Sequence, residues 1–166
     1  MKKWFSKKGN ILSFLLLIFV LWKQLPMLIG NFEMEGKTIQ SKEYSLLIKS
    51  DTNVTFPPAS GNSIAIFWAT WCGPCKIEME RLRSSVENNK IPIGAIFAIN
   101  PFEEPQDTIE FIKKNKYPFT FIHAPEVAKE LDVRATPTTL FIKNGKVDSM
   151  SSGLSFFGIW KAESFL

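Results

Sequence analysis

Ile64-Ala65-Ile66-Phe67-Trp68-Ala69-Thr70-Trp71-Cys72-Gly73-Pro74-Cys75 runs from an unbroken apolar segment into a Cys-x-x-Cys. Residues 64–68 have the composition of a central strand buried on both faces. From residue 74 to about 88, Ile77, Leu82 and Val86 recur among charges at helical spacing. Pro74 falls in the first turn, where its missing N–H is not needed. A strand therefore passes through the cysteines directly into a helix. That geometry puts Cys72 at the helix N-terminus, where unpaired N–H groups and the helix dipole stabilise a thiolate. Cys75, one turn in, is expected to be the more buried. The spacing lets the pair close into a small disulfide and reopen, Cys72 exchanging with an outside sulfur and Cys75 resolving the mixed disulfide. Other uses of two thiols stay open at this point. A zinc site needs two more ligands, and the chain has a single histidine, His123, and no third cysteine. A soft copper site could add Met79, and a static disulfide needs nothing further.

Outward from this segment, the rest of the chain alternates strand and helix signals. Residues 31–63 read as a tether and an N-terminal β segment, with a turn at Glu35-Gly36-Lys37, a strand over 44–48, and a loop over 55–62 that holds Pro57-Pro58 and Gly61. A second buried strand is expected over 93–99. A helix over 104–115 should use Ile109, Phe111 and Ile112 as its apolar contacts. A strand over 119–122 and a short helix over 125–131 follow. Asn144-Gly145 marks a hairpin between 138–142 and 147–151. Ser155 is placed to cap a last helix running to 166, with Phe156, Phe157 and Trp160 on its core face. The order is β-α-β-α-β-α-β-β-α, an α/β fold with a mixed sheet covered by helices.

Phe67-Trp68-Ala69-Thr70-Trp71-Cys72-Gly73-Pro74-Cys75 resembles the active-site segment of the thioredoxin superfamily. Ala135-Thr136-Pro137-Thr138-Thr139-Leu140-Phe141, followed by Asn144-Gly145-Lys146-Val147, resembles that family's cis-proline loop and the hairpin after it. The extra αβ unit between 99 and 136, with the apolar N-terminus, is similar to the TlpA/ResA-like branch of membrane-tethered thiol–disulfide oxidoreductases. That branch includes a group associated with copper tolerance. The resemblance covers about residues 33–160. It implies a thioredoxin fold, a mixed central sheet flanked by helices, carrying an αβ insertion and an N-terminal transmembrane helix. It implies an enzyme whose redox centre is the Cys72–Cys75 disulfide, with no other cofactor and no metal. It implies that Pro137 is cis and faces the cysteines, leaving the backbone of Thr136 to pair with an extended substrate strand. Trp71, Gly73, Pro74, Thr136 and Pro137 are then the substrate-binding residues. In this branch an acid three residues after the second cysteine lies near the pair, and here it is Glu78. The thioredoxins proper use a buried aspartate six residues before the first cysteine, where this chain has Ile66. A partly buried Glu78 with a raised pKa would move the Cys75 proton during resolution. The competing reading is a solvated glutamate paired with Arg81. Trp68 is expected in the core, Trp71 on an exposed apolar edge, and His123 at a strand end without chemistry.

The chain has 166 residues, 45% of them hydrophobic, with 20 Lys+Arg against 16 Asp+Glu. This fits one domain and an appendage and excludes a disordered chain, a collagen and a disulfide-stapled mini-protein. The net charge of +4 is local: residues 1–30 hold Lys2, Lys3, Lys7, Lys8 and Lys23 and no acid, which leaves 15 basic against 16 acidic groups in 31–166. The body has no basic excess for a phosphate backbone, so nucleic acid is not an expected partner. Lysines followed by residues 11–22, in which only Ser13 is polar, have the layout of a signal sequence. The run spans about 18 Å as a helix, and residues 25–29 extend it beyond Lys23-Gln24 toward the ~20 residues of a membrane span. An uncleaved anchor is favoured over a cleaved peptide, because a cleavage site wants small residues and no alanine occurs before Ala59. The expected organisation is a cytoplasmic basic tail over 1–9, a transmembrane signal anchor over 10–30, and an extracytoplasmic thioredoxin-like domain over 31–166. Lysines stay on the cytoplasmic side. The chain would then cross the inner (cytoplasmic) membrane once and hold its catalytic domain in the periplasm or at the outer face, where disulfides persist.

The expected function is a membrane-anchored thiol–disulfide oxidoreductase acting on proteins with cysteines or disulfides. Gly73-Pro74 resembles thioredoxin and favours a reductant, whereas Thr136 before the proline resembles the isomerase and mixed-function relatives and weakens that lean. A reductant in that compartment draws electrons from a DsbD-like transmembrane donor. A role in cytochrome c maturation is disfavoured, because Ala135-Thr136-Pro137 lacks the Gly-Ala-Pro-Glu pattern of the specialised proteins. The alternative of another class is a copper-binding, copper-tolerance protein with the two thiols as ligands.

Overall fold

The computed structural model describes residues 11, 13–19, 34–49, 51–155 and 157–166. The chain divides into two compact units, Met1–Glu33 and Met34–Leu166. In the first, residues 13–19 are helical and exposed. Among the described residues no helix is long and apolar enough to cross a membrane. The expected tail over 1–9 and most of the expected anchor over 10–30 lie outside the described residues.

The second unit opens with an antiparallel hairpin, β1 (Lys42–Ser45) and β2 (Asn53–Phe56), in which Lys42 faces Phe56 and Ser45 faces Asn53. The single strand expected over 44–48 thus starts earlier, and a second strand occupies part of the expected loop. Val54 and Phe56 alternate with polar neighbours over only four residues, a pattern that becomes a strand because β1 pairs with it. Phe56 is fully buried, its ring 4.9 Å from that of Phe97.

Five strands form the main sheet in the order β5-β4-β3-β6-β7: β3 (Asn62–Phe67), β4 (Ile96–Ile99), β5 (Thr120–Ile122), β6 (Thr138–Lys143) and β7 (Lys146–Ser152). β3, β4 and β5 are parallel, and β6 and β7 complete the sheet antiparallel. Parallel neighbours need crossovers, supplied by α1 (Gly73–Glu87) and α2 (Pro105–Asn115). α3 (Pro125–Glu130) leads toward β6, and α4 (Gly158–Phe165) follows β7. Along β3 the side chains divide between two cores. Ile64, Ile66 and Trp68 pack with Cys75, Met79, Leu82, Ile112 and Ala162 from α1, α2 and α4. Ala65 and Phe67 pack with Phe56, Val127, Leu131 and Leu140 from the hairpin, α3 and β6. Both faces are covered, which is why β3 is a continuous apolar run rather than an alternating one.

Three expectations are corrected. The strand expected from 93 begins at Ile96, because Gly94 at φ +87° turns the chain there, and Ile93 is 83% exposed. Ile77 is exposed, since the buried arc of α1 runs through Cys75, Glu78, Met79, Leu82, Ser85 and Val86 and leaves position 77 outside it. Ser155 caps nothing with its side chain: α4 starts at Gly158, with Phe157 at the cap position and no side-chain cap bond. The later start turns the helix about 100° per residue relative to the expected register. Phe157 and Trp160, expected inside, are 79% and 70% exposed, while Ile159, Ala162 and Phe165 pack inward. The side chain of Phe156 lies outside the described residues.

Candidate active site

β3 ends at Phe67, paired with Thr138, the first residue of β6. The chain that leaves β3 toward Cys72 and the chain that enters β6 from Pro137 therefore meet at the same end of the sheet. The Thr136–Pro137 peptide is cis. The Pro137 carbonyl accepts from the Gly153 N–H at 2.7 Å, and the Thr138 hydroxyl donates to the Ala135 carbonyl at 2.8 Å. Thr136 is half-buried, and no hydrogen bond occupies its backbone among the described residues.

Cys72 and Cys75 form a disulfide with Cα atoms 5.3 Å apart. Cys72 stands at the N-cap of α1, and its Sγ accepts the Cys75 N–H at 3.2 Å. Cys75 is wholly buried, and Cys72 retains 4% exposure, beside the exposed Gly73 and Pro74. The arrangement directs a helix N–H at the sulfur that would carry negative charge in the dithiol form.

Glu78 lies three residues on, inside the buried arc of α1, and is 2% exposed. Its Oε2 is 3.0 Å from Nη1 of Arg81. Burial raises its pKa, and the charge and hydrogen bond of Arg81 pull it part of the way back. The carboxylate pairs with Arg81, as the competing reading expected, but it is buried rather than solvated, because Gly158 at the start of α4 lies against it. Glu80 faces elsewhere, accepting from the Tyr117 hydroxyl at 2.8 Å and pairing with Arg83. Burial and then Glu80 push Tyr117 up to about 12.

One residue of the site was missed. Glu103, in the loop after β4, accepts the Thr70 N–H at 2.7 Å, the Thr70 hydroxyl, and the Asn100 side-chain amide at 2.6 Å. Asn100, 2% exposed, in turn accepts the N–H groups of Phe102 and Glu103 at 3.0 and 3.2 Å. Burial acts to raise the Glu103 pKa, but the bonds from Thr70 and Asn100 outweigh it and hold the carboxyl below its usual range. The local turn from Asn100 to Glu103 has a sequence signal, an asparagine just after a strand. The partner Thr70, 33 residues away, has none. The knot sets the Trp71 ring 6.3 Å from that of Phe102, with both exposed.

Trp68 is wholly buried, its ring 5.1 Å from Phe111 and 5.8 Å from Phe121. Met79 is wholly buried in the same core, and His123 is half-buried just after β5. Among the described residues no three His, Cys, Asp or Glu side chains cluster as metal ligands would.

The fold has clear counterparts. StoA from Bacillus subtilis superposes with a TM-score of 0.65 at 20% identity, over 78% of this chain and 98% of that one. A thio-disulfide isomerase from Thermus thermophilus gives 0.57 at 26% identity, over 76% and 91%. Among curated proteins, a thioredoxin-like protein of Haemophilus influenzae is 29% identical over 100 residues, covering 58% of each chain. The thiol-disulfide oxidoreductase ResA of Bacillus cereus is 28% identical over 119 residues, 69% of this chain and 60% of that protein. The chain spans about three fifths of the length of these curated relatives. The architecture is thus the thioredoxin-like α/β fold, and the AhpC/TSA family profile matches residues 35–150, from the N-terminal hairpin past the cysteine pair and Pro137, so the chain belongs to the AhpC/TSA family.

Proposed function

We propose that this protein is a thiol–disulfide oxidoreductase that exchanges disulfides with protein substrates through Cys72 and Cys75. The observation that carries this is the disulfide at the N-terminus of α1, with Cys72 at the cap and Cys75 closed off behind it. In the reducing direction the Cys72 thiolate attacks a substrate disulfide. A Cys72–substrate bond forms, the substrate bond breaks, and one substrate thiolate leaves. Cys75 then gives its proton to Glu78 and attacks Cys72 Sγ. The Cys72–Cys75 bond forms and the second substrate thiolate departs. The substrate gains two electrons and the protein loses two, which an external dithiol must restore. Trp71, Gly73, Pro74, Thr136 and Pro137 surround the exchange as the substrate-binding residues, with Thr136 offering its backbone to an extended segment.

The Gly73-Pro74 pair supports a reductant over an oxidase or isomerase. The lysines and apolar run of residues 2–29 support an anchor in the cytoplasmic membrane, with the N-terminus in the cytoplasm and the catalytic domain in the periplasm or at the outer face. A DsbD-like transmembrane donor would then supply the electrons. The test is reduction of insulin by the full chain with dithiothreitol as electron source, alongside metal analysis. Turnover that disappears in Cys72→Ser is expected. Stoichiometric copper without turnover would establish the thiols as metal ligands instead. A Cys72–Cys75 potential near thioredoxin's, about −270 mV, means a reductant, and one near DsbA's, about −120 mV, an oxidase. Topology is read by introducing Lys114→Cys, at an exposed position of α2, together with Cys72→Ser and Cys75→Ser and labelling with a membrane-impermeant maleimide: labelling of intact cells is expected, and labelling only after permeabilisation would refute an outward-facing domain.

A further inference from the structure

Arg81 bridges two parts of the chain that sequence places far apart. Its Nη1 lies 3.0 Å from Oε2 of Glu78 and 2.7 Å from the carbonyl oxygen of Ser155. It thereby ties α1 to the loop between β7 and α4. The other carboxylate oxygen is confined by Gly158, where a Cβ would come within 3.0 Å of Oε1 and 2.9 Å of the Ser155 Cβ. The carboxylate is thus held between a guanidinium and a residue that has no side chain. A carboxylate this deeply buried stays charged only when paired.

Charged groups on α1 and α4 other than Glu78 and Arg81 have partners of their own, Glu80 and Glu87 with Arg83 among them. On α4, Lys161 donates to Ser149 at 2.5 Å and lies 4.6 Å over the Phe141 ring, and Glu163 accepts from Ser85 at 2.7 Å and pairs with Lys90. On α1, Lys76 stands over the Phe111 ring at 5.6 Å. On the same face of α1, one turn before Glu78, lies Cys75, which becomes a thiol only when its disulfide with Cys72 opens.

We propose that Arg81 is a positioning residue for disulfide exchange: by joining the Glu78 carboxylate to the Ser155 carbonyl it keeps Glu78 an anion, one turn from Cys75, able to take that thiol's proton. This rests on the oxidoreductase reading above. The proton passes from the Cys75 sulfur to Glu78 as the Cys75–Cys72 bond forms and the Cys72–substrate bond breaks, and the departing substrate thiolate is reprotonated from Glu78 or water. Without the guanidinium, burial acts unopposed and raises the Glu78 pKa further, so less of the carboxylate is free to accept a proton.

The test is single-turnover resolution of a Cys72 mixed disulfide, followed against pH in the full chain. R81M should move the rising limb to higher pH and slow resolution at neutral pH at least about tenfold. R81K should restore part of the rate. E78Q should remove the limb, and R81M added to E78Q should change the rate less than about twofold. If R81M does not fold, R81Q reads the same limb, since it can donate to Ser155 but carries no charge. A limb unmoved by R81M or R81Q, a limb that survives E78Q, or an equal slowing of wild type and E78Q would overturn the proposal. Cys72→Ser separates this from the parent reading: exchange that needs Cys72 upholds the oxidoreductase whatever Arg81 does, and exchange that survives its loss refutes it.

Discussion

Glu103→Ala removes three hydrogen bonds, two from Thr70 in the loop that carries Trp71 into Cys72 and one from Asn100. Hydrogen bonds to a charged acceptor are worth about 1.5–3 kcal/mol each, but three on one carboxylate are not additive. Thr70 is half-buried and regains water, whereas the Asn100 amide is in a residue only 2% exposed and is left without its acceptor. The expected loss is therefore about 2–3 kcal/mol, set mainly by Asn100. Glu103→Gln separates shape from charge. Oε2 serves both the Thr70 N–H and the Asn100 amide, so a glutamine carbonyl can stand there, while its NH2 meets the Thr70 hydroxyl, which can turn from donor to acceptor. That variant should lose only about 1 kcal/mol, the charge assistance. The pH dependence has a definite sign. The folded pKa of Glu103 lies below its ordinary 4.5, so its contribution is complete above that value and is lost as pH falls through the folded one. Urea unfolding of the full chain, followed by tryptophan fluorescence from neutral pH downward, measures both effects. A loss in Glu103→Ala within about 0.5 kcal/mol, or an acid limb identical to wild type, would refute the reasoning.

Three further outcomes follow from the same geometry. Because burial leaves the Glu78 pKa raised despite Arg81, the folded chain binds this proton more tightly than the unfolded chain. Glu78's contribution to stability should thus decline as pH rises from about 4.5 through the folded value, and Glu78→Gln should remove that decline in urea midpoints taken between about pH 4 and 8; an unchanged slope argues against it. Gly158→Ala must displace either Ser155 or the Glu78 carboxylate, at a cost of about 1–3 kcal/mol by thermal or urea unfolding, and a variant as stable as wild type would show that the contact is slack. Trp71→Ala, at a site 67% exposed, should leave stability within about 0.5 kcal/mol and raise KM for a protein disulfide but not for a small one; equal losses on both substrates would mean that the ring supports the cysteines rather than the partner.

Much of the fold is legible because it is local. The strand, Cys-x-x-Cys and helix succession over 62–87 follows from an apolar run, a proline fit for a first turn and helical spacing. The hairpin at Asn144-Gly145 follows from turn chemistry, with both residues at positive φ. Position 78 in the buried arc of α1 follows from the 3.6-residue period, which carries Glu78 to the same face as Cys75. The failures share one cause. Whether Ile77, Ile93, Phe157 and Trp160 face water depends on where each element starts and what lies over it, and apolarity alone does not say. The strand over Asn53–Phe56 exists through its pairing with β1, not through its own four residues.

The sequence by itself placed the parts of the candidate site: two thiols at helical spacing at the end of a buried strand, an acid one turn on, and a proline that enters the neighbouring strand. Only the tertiary structure decided how those parts are held. Thr70 meets Glu103 because β3 and β4 lie side by side and parallel, bringing the loops at their ends together across 33 residues. Glu78 is buried because α4 closes over α1, and it stays paired because Arg81 spans 74 residues to Ser155. Backbone preferences act over a few neighbours and can be read in order along a chain. Burial and the pairing of charges depend on which distant segments come to lie together, and that is settled by packing.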